Sequence, residues 1–192
     1  MSPRTEEQFE EIRSSRKIQI MENALELFAS TGYHQTSISM ITKKAGISKG
    51  LMYNYFSSKE DLIRQIIQKG MDEIFRYFDP DHDGILTKEE IRFFIDQMFV
   101  IMLRDSHFWK LYFMVMLQPP VFKLMEDELR KPYDLILDLL KSYFSDAGIA
   151  DPEAEARILG AILDGIAFQF ILDPEHFPTE KIKNKLFQMY CQ

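Results

Sequence analysis

Residues Gly46 to Phe56, reading GISKGLMYNYF, constrain the fold more than any other part of the chain. Gly46 favours the end of one short helix, because glycine tolerates the backbone conformation of a helix C-terminus. Ser48 is a natural N-cap for a second helix of about two turns. That helix carries large polar and aromatic side chains, among them Lys49 and Tyr53. The pattern predicts a helix-turn-helix, with an ordinary helical hairpin that has one solvated face as the alternative.

The sequence on both sides of this motif has the periodicity of helices that pack against it. A helix before the motif buries one apolar face and ends at Thr31-Gly32, and a second helix can be capped by Thr36 or Ser37. After Phe56, two serines form a break and Lys59 begins a longer helix. The apolar positions of the first two helices are Ile20, Ala24, Leu27, Phe28, Ile38, Ile41 and Ala45.

The run of residues 20–63 resembles the DNA-binding domain of the tetracycline-repressor (TetR/AcrR) family. The matching pieces are ALELFASTGY, TSIS, AGISKG, LMYNYF and SSKEDL, which lie in about a quarter of the chain. The resemblance implies an all-α protein with a three-helix helix-turn-helix domain in residues 1–59. Residues 60–192 would form a helical domain for effector binding and dimerisation. The implied function is that of a sequence-specific, ligand-responsive transcriptional repressor acting as a homodimer.

The resemblance also assigns individual residues to double-stranded operator DNA. Side chains on the second helix of the motif are expected to read base edges in the major groove: Lys49, Gly50, Tyr53 and Asn54. Residues at the helix starts and after the motif are expected mainly to hold phosphates: Thr36, Ser37, Ser48, Tyr55 and Lys59.

The distribution of charge supports a DNA-binding N-terminal segment. The chain has a net charge of −7, which by itself argues against a nucleic-acid binder. Residues 1–59 nevertheless carry eight Lys/Arg against six Glu, and residues 35–59 carry four lysines and no acid. The remainder has a net charge of −9, which discourages non-specific DNA binding.

Composition predicts an all-helical protein of the reducing cytoplasm. Glycine and proline are scarce, and the single cysteine, Cys191, has no partner for an internal disulfide. The N-terminal residues are polar and include no apolar signal segment. The longest apolar stretch, residues 111–117, is too short to cross a bilayer. We therefore expect no membrane partner.

Residues 79–90, reading DPDHDGILTKEE, match the calcium loop of an EF-hand. Three aspartates alternate, Gly84 lies where the loop turns sharply, and a glutamate closes the loop in twelfth place. The sequence predicts a possible Ca²⁺ site, and no other cofactor is expected. Its ligands would be Asp79, Asp81, Asp83, the Ile85 carbonyl, Thr87 and Glu90.

The alternative for this segment is an acidic connection in which Asp-Pro and Asp-Gly are turn residues. The resemblance implies an ordinary connection here, between the fourth and fifth helices, and no metal. Four carboxylates at this spacing would, however, repel one another without a cation. EF-hands usually work in pairs and the chain has no second such loop. We therefore expect a lone, weak site that clamps two helices.

Aromatic and methionine side chains crowd the predicted fifth to seventh helices. Such stripes usually fill a core, yet methionine and aromatic residues also line adaptable pockets. The resemblance implies that a small-molecule effector binds among these helices. The candidate pocket residues are Phe94, Met98, Met102, Trp109, Tyr112, Phe113, Met116, Phe122 and Met125.

The two C-terminal helices are the expected dimer interface. One is predicted over residues 152–172, with Asp151 as its N-cap, and a shorter one ends at Tyr190. Small residues on the longer helix allow a partner helix to approach closely. Burial within one chain is the alternative for the same apolar stripe. The predicted interface residues are Ile158, Ile162, Gly165, Ile166, Phe170, Leu186, Phe187 and Tyr190.

Two other classes of protein are alternatives to a DNA-binding regulator. A calcium-binding sensor or buffer could retain a repressor-like fold and use only residues 79–90. A helical enzyme is less favoured, because the four histidines show no metal-ligand spacing and the chain has no glycine-rich phosphate loop. We therefore expect no enzymatic activity.

Overall fold

The computed structural model describes residues 5–191, and every regular element within this range is an α-helix. This confirms the predicted all-α fold class. The helices are α1 (Glu6–Thr31), α2 (Ile38–Ala45), α3 (Lys49–Tyr53), α4 (Lys59–Phe75), α5 (Lys88–Arg104), α6 (Ser106–Met116), α7 (Pro119–Asp146), α8 (Pro152–Leu172) and α9 (Thr179–Tyr190). None of the helices in the described range is both long and apolar enough to cross a membrane.

Side-chain caps fix most of the helix starts that the sequence predicted. The Ser37, Ser48 and Asp151 side chains each accept a hydrogen bond from a backbone amide three residues ahead. Such caps satisfy amides that the first helical turn leaves without a partner. The predicted span of α8 is confirmed at both ends.

Two helices differ from the predicted bounds. The apolar periodicity of residues 60–78 predicts one helix over that range, but α4 ends at Phe75, where the Phe78 amide bonds to the Phe75 carbonyl in a tighter turn. The pair Pro119-Pro120 predicts a break with the next helix beginning at residue 121, but α7 begins with those two prolines. Proline suits a first helical turn because its missing N–H would have no partner there. α7 also continues through Pro132.

The described chain forms two compact units, and three helices run through both. The first unit contains the described residues up to Lys69, together with Leu111–Met125. The second contains Gly70–Lys110 and the described residues from Glu126 onward. α4, α6 and α7 therefore each begin in one unit and end in the other. The predicted domain boundary after residue 59 does not coincide with these limits, because most of α4 belongs with the first unit.

Each unit has its own apolar core. In the first unit α2 packs against α1 and α3, and α4 contributes a continuous buried face. In the second unit α9 packs against α5. Buried residues of the first unit include Ile20, Phe28, Ile41, Met52, Phe56, Leu62, Ile66, Tyr112, Val115 and Met125. Those of the second include Phe78, Ile91, Ile95, Phe99, Trp109, Phe144, Leu159, Phe170 and Leu186.

Candidate functional site

The turn between α2 and α3 has the geometry that the sequence predicted. Gly46 adopts a left-handed conformation at φ 65°, and its amide donates to carbonyls in the last turn of α2. A β-carbon at this position would meet no atom within 4 Å, so the backbone conformation, and not crowding, favours glycine. Ile47 then donates to the Thr42 carbonyl at 3.0 Å, which closes the end of the helix.

α3 is shorter than predicted and exposes most of its side chains. It spans five residues, and the Ser48 hydroxyl accepts from the Leu51 amide at 3.1 Å. Met52 is fully buried and fixes the inner side of the helix. The outward residues are Lys49, Gly50, Tyr53 and Asn54, all exposed. The structure thus brings the four predicted base-reading residues onto one surface segment, which we call the α3 face.

No contact among residues 5–191 explains the glycine at position 50. Its backbone is helical, and an added β-carbon would have only the Ser48 hydroxyl oxygen near it, at 4.0 Å. Glycine inside a helix costs about 1 kcal/mol relative to alanine. A glycine that lowers helix stability and has free space around it is consistent with close approach of another molecule to its backbone.

The predicted phosphate-holding residues divide into exposed and buried sets. Ser37 and Ser48 are exposed at the starts of α2 and α3, and Tyr55 is half-buried. Thr36 is only 1% exposed, and its hydroxyl donates to the Gly32 carbonyl at 2.8 Å. The Thr36 side chain therefore does not lie on the surface, because it closes the turn that follows α1.

Lys59 also differs from its expected role, because its ammonium group binds within the chain. The Nζ atom donates to the backbone carbonyls of Tyr33 at 3.0 Å and Thr36 at 3.1 Å. It also lies 4.5 Å from the centre of the Tyr33 ring. Lys59 thus ties the start of α4 to the segment before α2 instead of standing free for a phosphate.

Sequence reasoning also missed one charge pair and several exposed neighbours of the α3 face. The Lys44 ammonium group pairs with the Glu26 carboxylate of α1 at 2.6 Å. The charge of Lys44 is therefore partly neutralised, although residues 35–59 contain no acid themselves. Lys43 remains exposed at the end of α2. Exposed polar residues around the start of α2 extend the surface: His34, Gln35 and Ser39. The closeness of these residues to the motif in sequence is the only signal that could have suggested them.

In the 79–90 loop the three aspartates come together as predicted. One carboxylate oxygen from each of Asp79, Asp81 and Asp83 lies within 4.8 Å of the others. The Asp79 Oδ2 atom accepts from the Gly84 amide at 3.2 Å, and Gly84 has φ 78°. Asp79 Oδ1 is buried and accepts no hydrogen bond from the residues that the structure describes.

The other side of the predicted calcium site is not assembled. Glu90 accepts from the Thr87 amide at 2.9 Å and from the Thr87 hydroxyl at 2.8 Å. Both predicted ligands thereby form a capping box at the start of α5. The carboxylate of Glu90 is thereby engaged by the amide and hydroxyl of Thr87, and it does not join the three aspartates.

The predicted effector-pocket residues are distributed over both units. Phe94, Met98, Met102 and Trp109 belong to the second unit, and the other five belong to the first. The expectation that Phe122 lines a pocket is corrected, because its side chain is 52% exposed. α7 directs Val121 and Met125 into the core instead. The hydroxyl of Tyr112, one of the candidate pocket residues, donates to the Ile67 carbonyl at 3.0 Å. The effector pocket itself stays a prediction.

Half of the predicted dimer residues are buried within the second unit. α9 packs against α5, with the Arg92 guanidinium 3.9 Å from the centre of the Phe187 ring. The Tyr143 hydroxyl donates to the Tyr190 carbonyl at 2.9 Å. These contacts already cover the inner face of α9. The buried residues are Phe170, Leu186, Phe187 and Tyr190.

The outward face of α8 is apolar but is displaced from the predicted stripe. Ile158 is 48% exposed, and Phe168 and Leu172 are 62% and 67% exposed. They recur at helical spacing on one side, with Ala161 and half-buried Gly165 between them. We call this surface the α8 stripe. Ile162 and Ile166 border it and are half-buried. A β-carbon added to Gly165 would meet no atom within 4 Å.

Comparisons with known proteins agree with the geometry of the α3 face. Residues 20–66 match the sequence profile described as bacterial regulatory proteins, tetR family. The fatty acid metabolism regulator protein of Bacillus subtilis is 31% identical over 91 residues, which are 47% of this chain and 47% of that protein. The chain is thus matched to about half the length of this curated relative.

Two longer likenesses extend beyond the N-terminal segment. IcaR, the negative transcriptional regulator of the biofilm operon icaADBC in Staphylococcus epidermidis, is 27% identical over 88% of this chain and 91% of its own length. The crystal structure of FadR from Bacillus subtilis in complex with stearoyl-CoA is similar with a TM-score of 0.69 at 20% identity. That likeness covers 91% of this chain and 97% of FadR, and it shows the fold. These proteins are named as regulators, not as enzymes.

The geometry of Gly50 leads to a prediction with opposite effects on stability and DNA binding. We expect Gly50→Ala to raise the free energy of unfolding by up to about 1 kcal/mol, because alanine favours the helix. We expect the same change to weaken binding to a DNA site selected with the wild-type chain by about tenfold, because the new methyl group faces the base edges. Chemical denaturation and fluorescence anisotropy measure the two effects. Ser14→Ala on exposed α1 is the control and should change stability alone; unchanged DNA affinity in Gly50→Ala would contradict the assignment.

Proposed function

We propose that the chain is a TetR-family regulator, and that the whole protein is a homodimeric transcriptional repressor whose operator binding is relieved by a long-chain acyl effector. The observation that carries this proposal is the α3 face. A five-residue helix, capped by Ser48 and buried through Met52, exposes Lys49, Gly50 and Tyr53, and the exposed Asn54 follows at its C-cap. Little of this helix packs into the core, so its exposed residues are available to enter the major groove of DNA.

Within this proposal the contacts to DNA divide into two kinds. Lys49, Tyr53 and Asn54 read base edges, and Gly50 allows the backbone to approach them. Ser37 and Ser48 lie where the amides of two helix starts face outward, and they orient the chain on phosphates. Lys43 adds a charge near the same surface. Since a bacterial operator lies in the cytoplasm, this function places the protein there.

Repression and the class of effector are proposed from the relatives and from this chain's own composition. One relative that aligns over most of this chain is named a negative regulator, and another, 24% identical over 78% of this chain, is named a transcriptional activator. FadR from Bacillus subtilis, which has a similar fold, was crystallised in complex with stearoyl-CoA. Helices α5 to α7 of this chain carry the methionine and aromatic side chains that accept a long alkyl group without strict shape. An effector acts only if it favours a conformation that binds DNA less well.

A binding-site selection followed by a gel shift tests the function. We expect the wild-type chain to enrich one palindromic DNA sequence, and stearoyl-CoA, but not free coenzyme A, to release it. Lys49→Ala should weaken binding by about 1–3 kcal/mol, and Tyr53→Ala should also relax the sequence preference. Recovery of no enriched sequence, with or without stearoyl-CoA, would refute the proposal. Enrichment without release would refute the acyl effector alone.

Homodimerisation is proposed through the α8 stripe. A helix-turn-helix in one chain covers one half-site, and two-fold symmetry lets two copies read a palindrome. The stripe exposes Ile158, Phe168 and Leu172, which is costly for a monomer in water. Gly160 and Gly165 have open space at their β-carbon positions, so a second helix can approach the backbone of α8 closely.

Charging the centre of this surface should separate the subunits. We expect Phe168→Asp to convert the dimer into a folded monomer, because a carboxylate would be buried without a partner in the interface. Sedimentation velocity at micromolar concentration measures the change, and circular dichroism checks that helices remain. Phe122→Asp is the matched control, since Phe122 is similarly exposed but lies on α7. Dissociation by the control alone, or a wild-type monomer, would contradict the α8 stripe as interface.

Calcium binding in the 79–90 loop is a second proposed property. One observation favours it: Asp79 Oδ1 is buried without a hydrogen-bond donor beside two other aspartates. A buried carboxylate oxygen without a donor is unfavourable unless a cation or water satisfies it. Glu90 would have to leave its capping position to complete the site, so a lone loop of this kind would bind weakly. We propose a structural clamp between α4 and α5 and not a switch.

A titration with two matched variants tests this site. We expect isothermal calorimetry to give one Ca²⁺ per chain with a dissociation constant on the order of 10⁻⁴ M. Glu90→Gln should abolish binding without unfolding α5, because glutamine also completes a capping box. Asp127→Asn, on exposed α7, should leave the heat unchanged. Absence of heat in millimolar calcium would make the segment an ordinary turn, and operator affinity that differs between calcium and chelator would make it a switch.

A further inference from the structure

Gln118 links two parts of the first unit that are far apart in sequence. Its side-chain Nε2 donates to the Phe28 carbonyl at 2.8 Å, and its Oε1 accepts from the Tyr33 amide at 2.9 Å. One amide group therefore bonds to both sides of the bend at Gly32, where α1 ends. The Phe28 carbonyl also accepts from the Gly32 amide at 3.1 Å, and the Tyr33 amide lies just beyond the end of α1.

The backbone of Gln118 is fixed as firmly as its side chain. It lies between the end of α6 and Pro119, the first residue of α7. Its amide donates to the Val115 carbonyl at 3.1 Å, and its carbonyl accepts from the Val121 and Phe122 amides at 2.9 Å each. Gln118 thus forms the corner between α6 and α7, and its side-chain hydrogen bonds connect that corner to the end of α1.

Tyr33, at the other end of this link, is a centre of contacts before α2. Its side chain is 5% exposed, its hydroxyl donates to Glu60 at 3.2 Å, and its carbonyl accepts from Lys59. Burial, with the neighbouring Glu60 carboxylate, raises the pKa of Tyr33 to about 12, so this hydroxyl stays a donor at neutral pH. Ser37, which caps α2, follows only four residues later.

We propose that Gln118 is a positioning residue for DNA binding: through it the α6–α7 corner sets the orientation of the segment that leads into the helix-turn-helix. The proposal rests on the proposed operator binding and adds a second connection to it. α4 links the two units covalently, whereas Gln118 links α1 to helices that themselves run into the second unit. A movement of α6 or α7 therefore shifts the Phe28 and Tyr33 backbone as well as α4.

The chemistry at this point requires both a donor and an acceptor. Alanine removes both hydrogen bonds and leaves the Tyr33 amide without its partner. Glutamate keeps an acceptor for the Tyr33 amide but places a second acceptor against the Phe28 carbonyl. The two substitutions thus disturb the link in different ways while leaving the DNA surface untouched.

The experiment compares full-length wild type, Gln118→Ala, Gln118→Glu and Gln188→Ala, each at a temperature at which it is fully folded. Gln188 is an exposed glutamine on α9 and serves as the control. Affinity is measured for the selected operator and for DNA of mixed sequence. We expect both Gln118 variants to bind the operator about tenfold more weakly and to bind mixed DNA as the wild type does. Misplaced helices lose the match to two half-sites but keep their attraction to phosphates.

Operator affinity decides the outcome. If both folded Gln118 variants bind the operator as tightly as the wild type, the inference is overturned, even where their thermal stability is reduced. If operator and mixed DNA affinity fall together, or if Gln188→Ala falls equally, it is also overturned. A wild-type chain that binds no operator refutes the proposed function instead. Amide exchange over residues 33–56 then decides the inference, with faster exchange in the Gln118 variants supporting it and unchanged exchange overturning it.

Discussion

The ammonium group of Lys59 lies between two backbone carbonyls, those of Tyr33 and Thr36, and faces the Tyr33 ring. These carbonyls belong to the connection between α1 and α2, which lies outside any helix. A charged donor makes stronger hydrogen bonds than a neutral one, and here it makes two. The start of α4 is thereby fixed to the end of the α1–α2 connection. Together with the hydrogen bond from the Tyr33 hydroxyl to Glu60, this side chain holds the segment before α2 against the start of α4.

Features set by neighbours in sequence could be predicted from the sequence. The left-handed turn at Gly46, the caps at Ser48 and Asp151, and the full span of α8 all follow from local backbone chemistry. The outward side chains of α3 follow from the same register, since burial of Met52 determines which residues face away. The family resemblance added the identity of the bound partner, which no local rule supplies.

Features set by distant partners could not be predicted in this way. Lys59 is a phosphate-binding candidate by position, and only its carbonyl partners more than twenty residues away give it another role. Glu90 satisfies two patterns at once, the twelfth position of a calcium loop and the third position of a capping box, and sequence cannot choose between them. The exposed apolar face of α8 is displaced from the predicted interface residues, because the rest of the chain covers Phe170 and leaves Phe168 exposed.

The first unit is assembled from two separate pieces of sequence, which has a consequence for how the chain is made. Tyr112, Val115 and Met125 are buried in that unit, although they leave the ribosome long after the helix-turn-helix. Because domains tend to fold as they emerge from the ribosome, part of the N-terminal piece's apolar core stays exposed until residues 111–125 have been synthesised. A nascent chain that has exposed only the DNA-reading helices is therefore an unfinished domain. A DNA-binding module excised after residue 59 would have the same defect permanently.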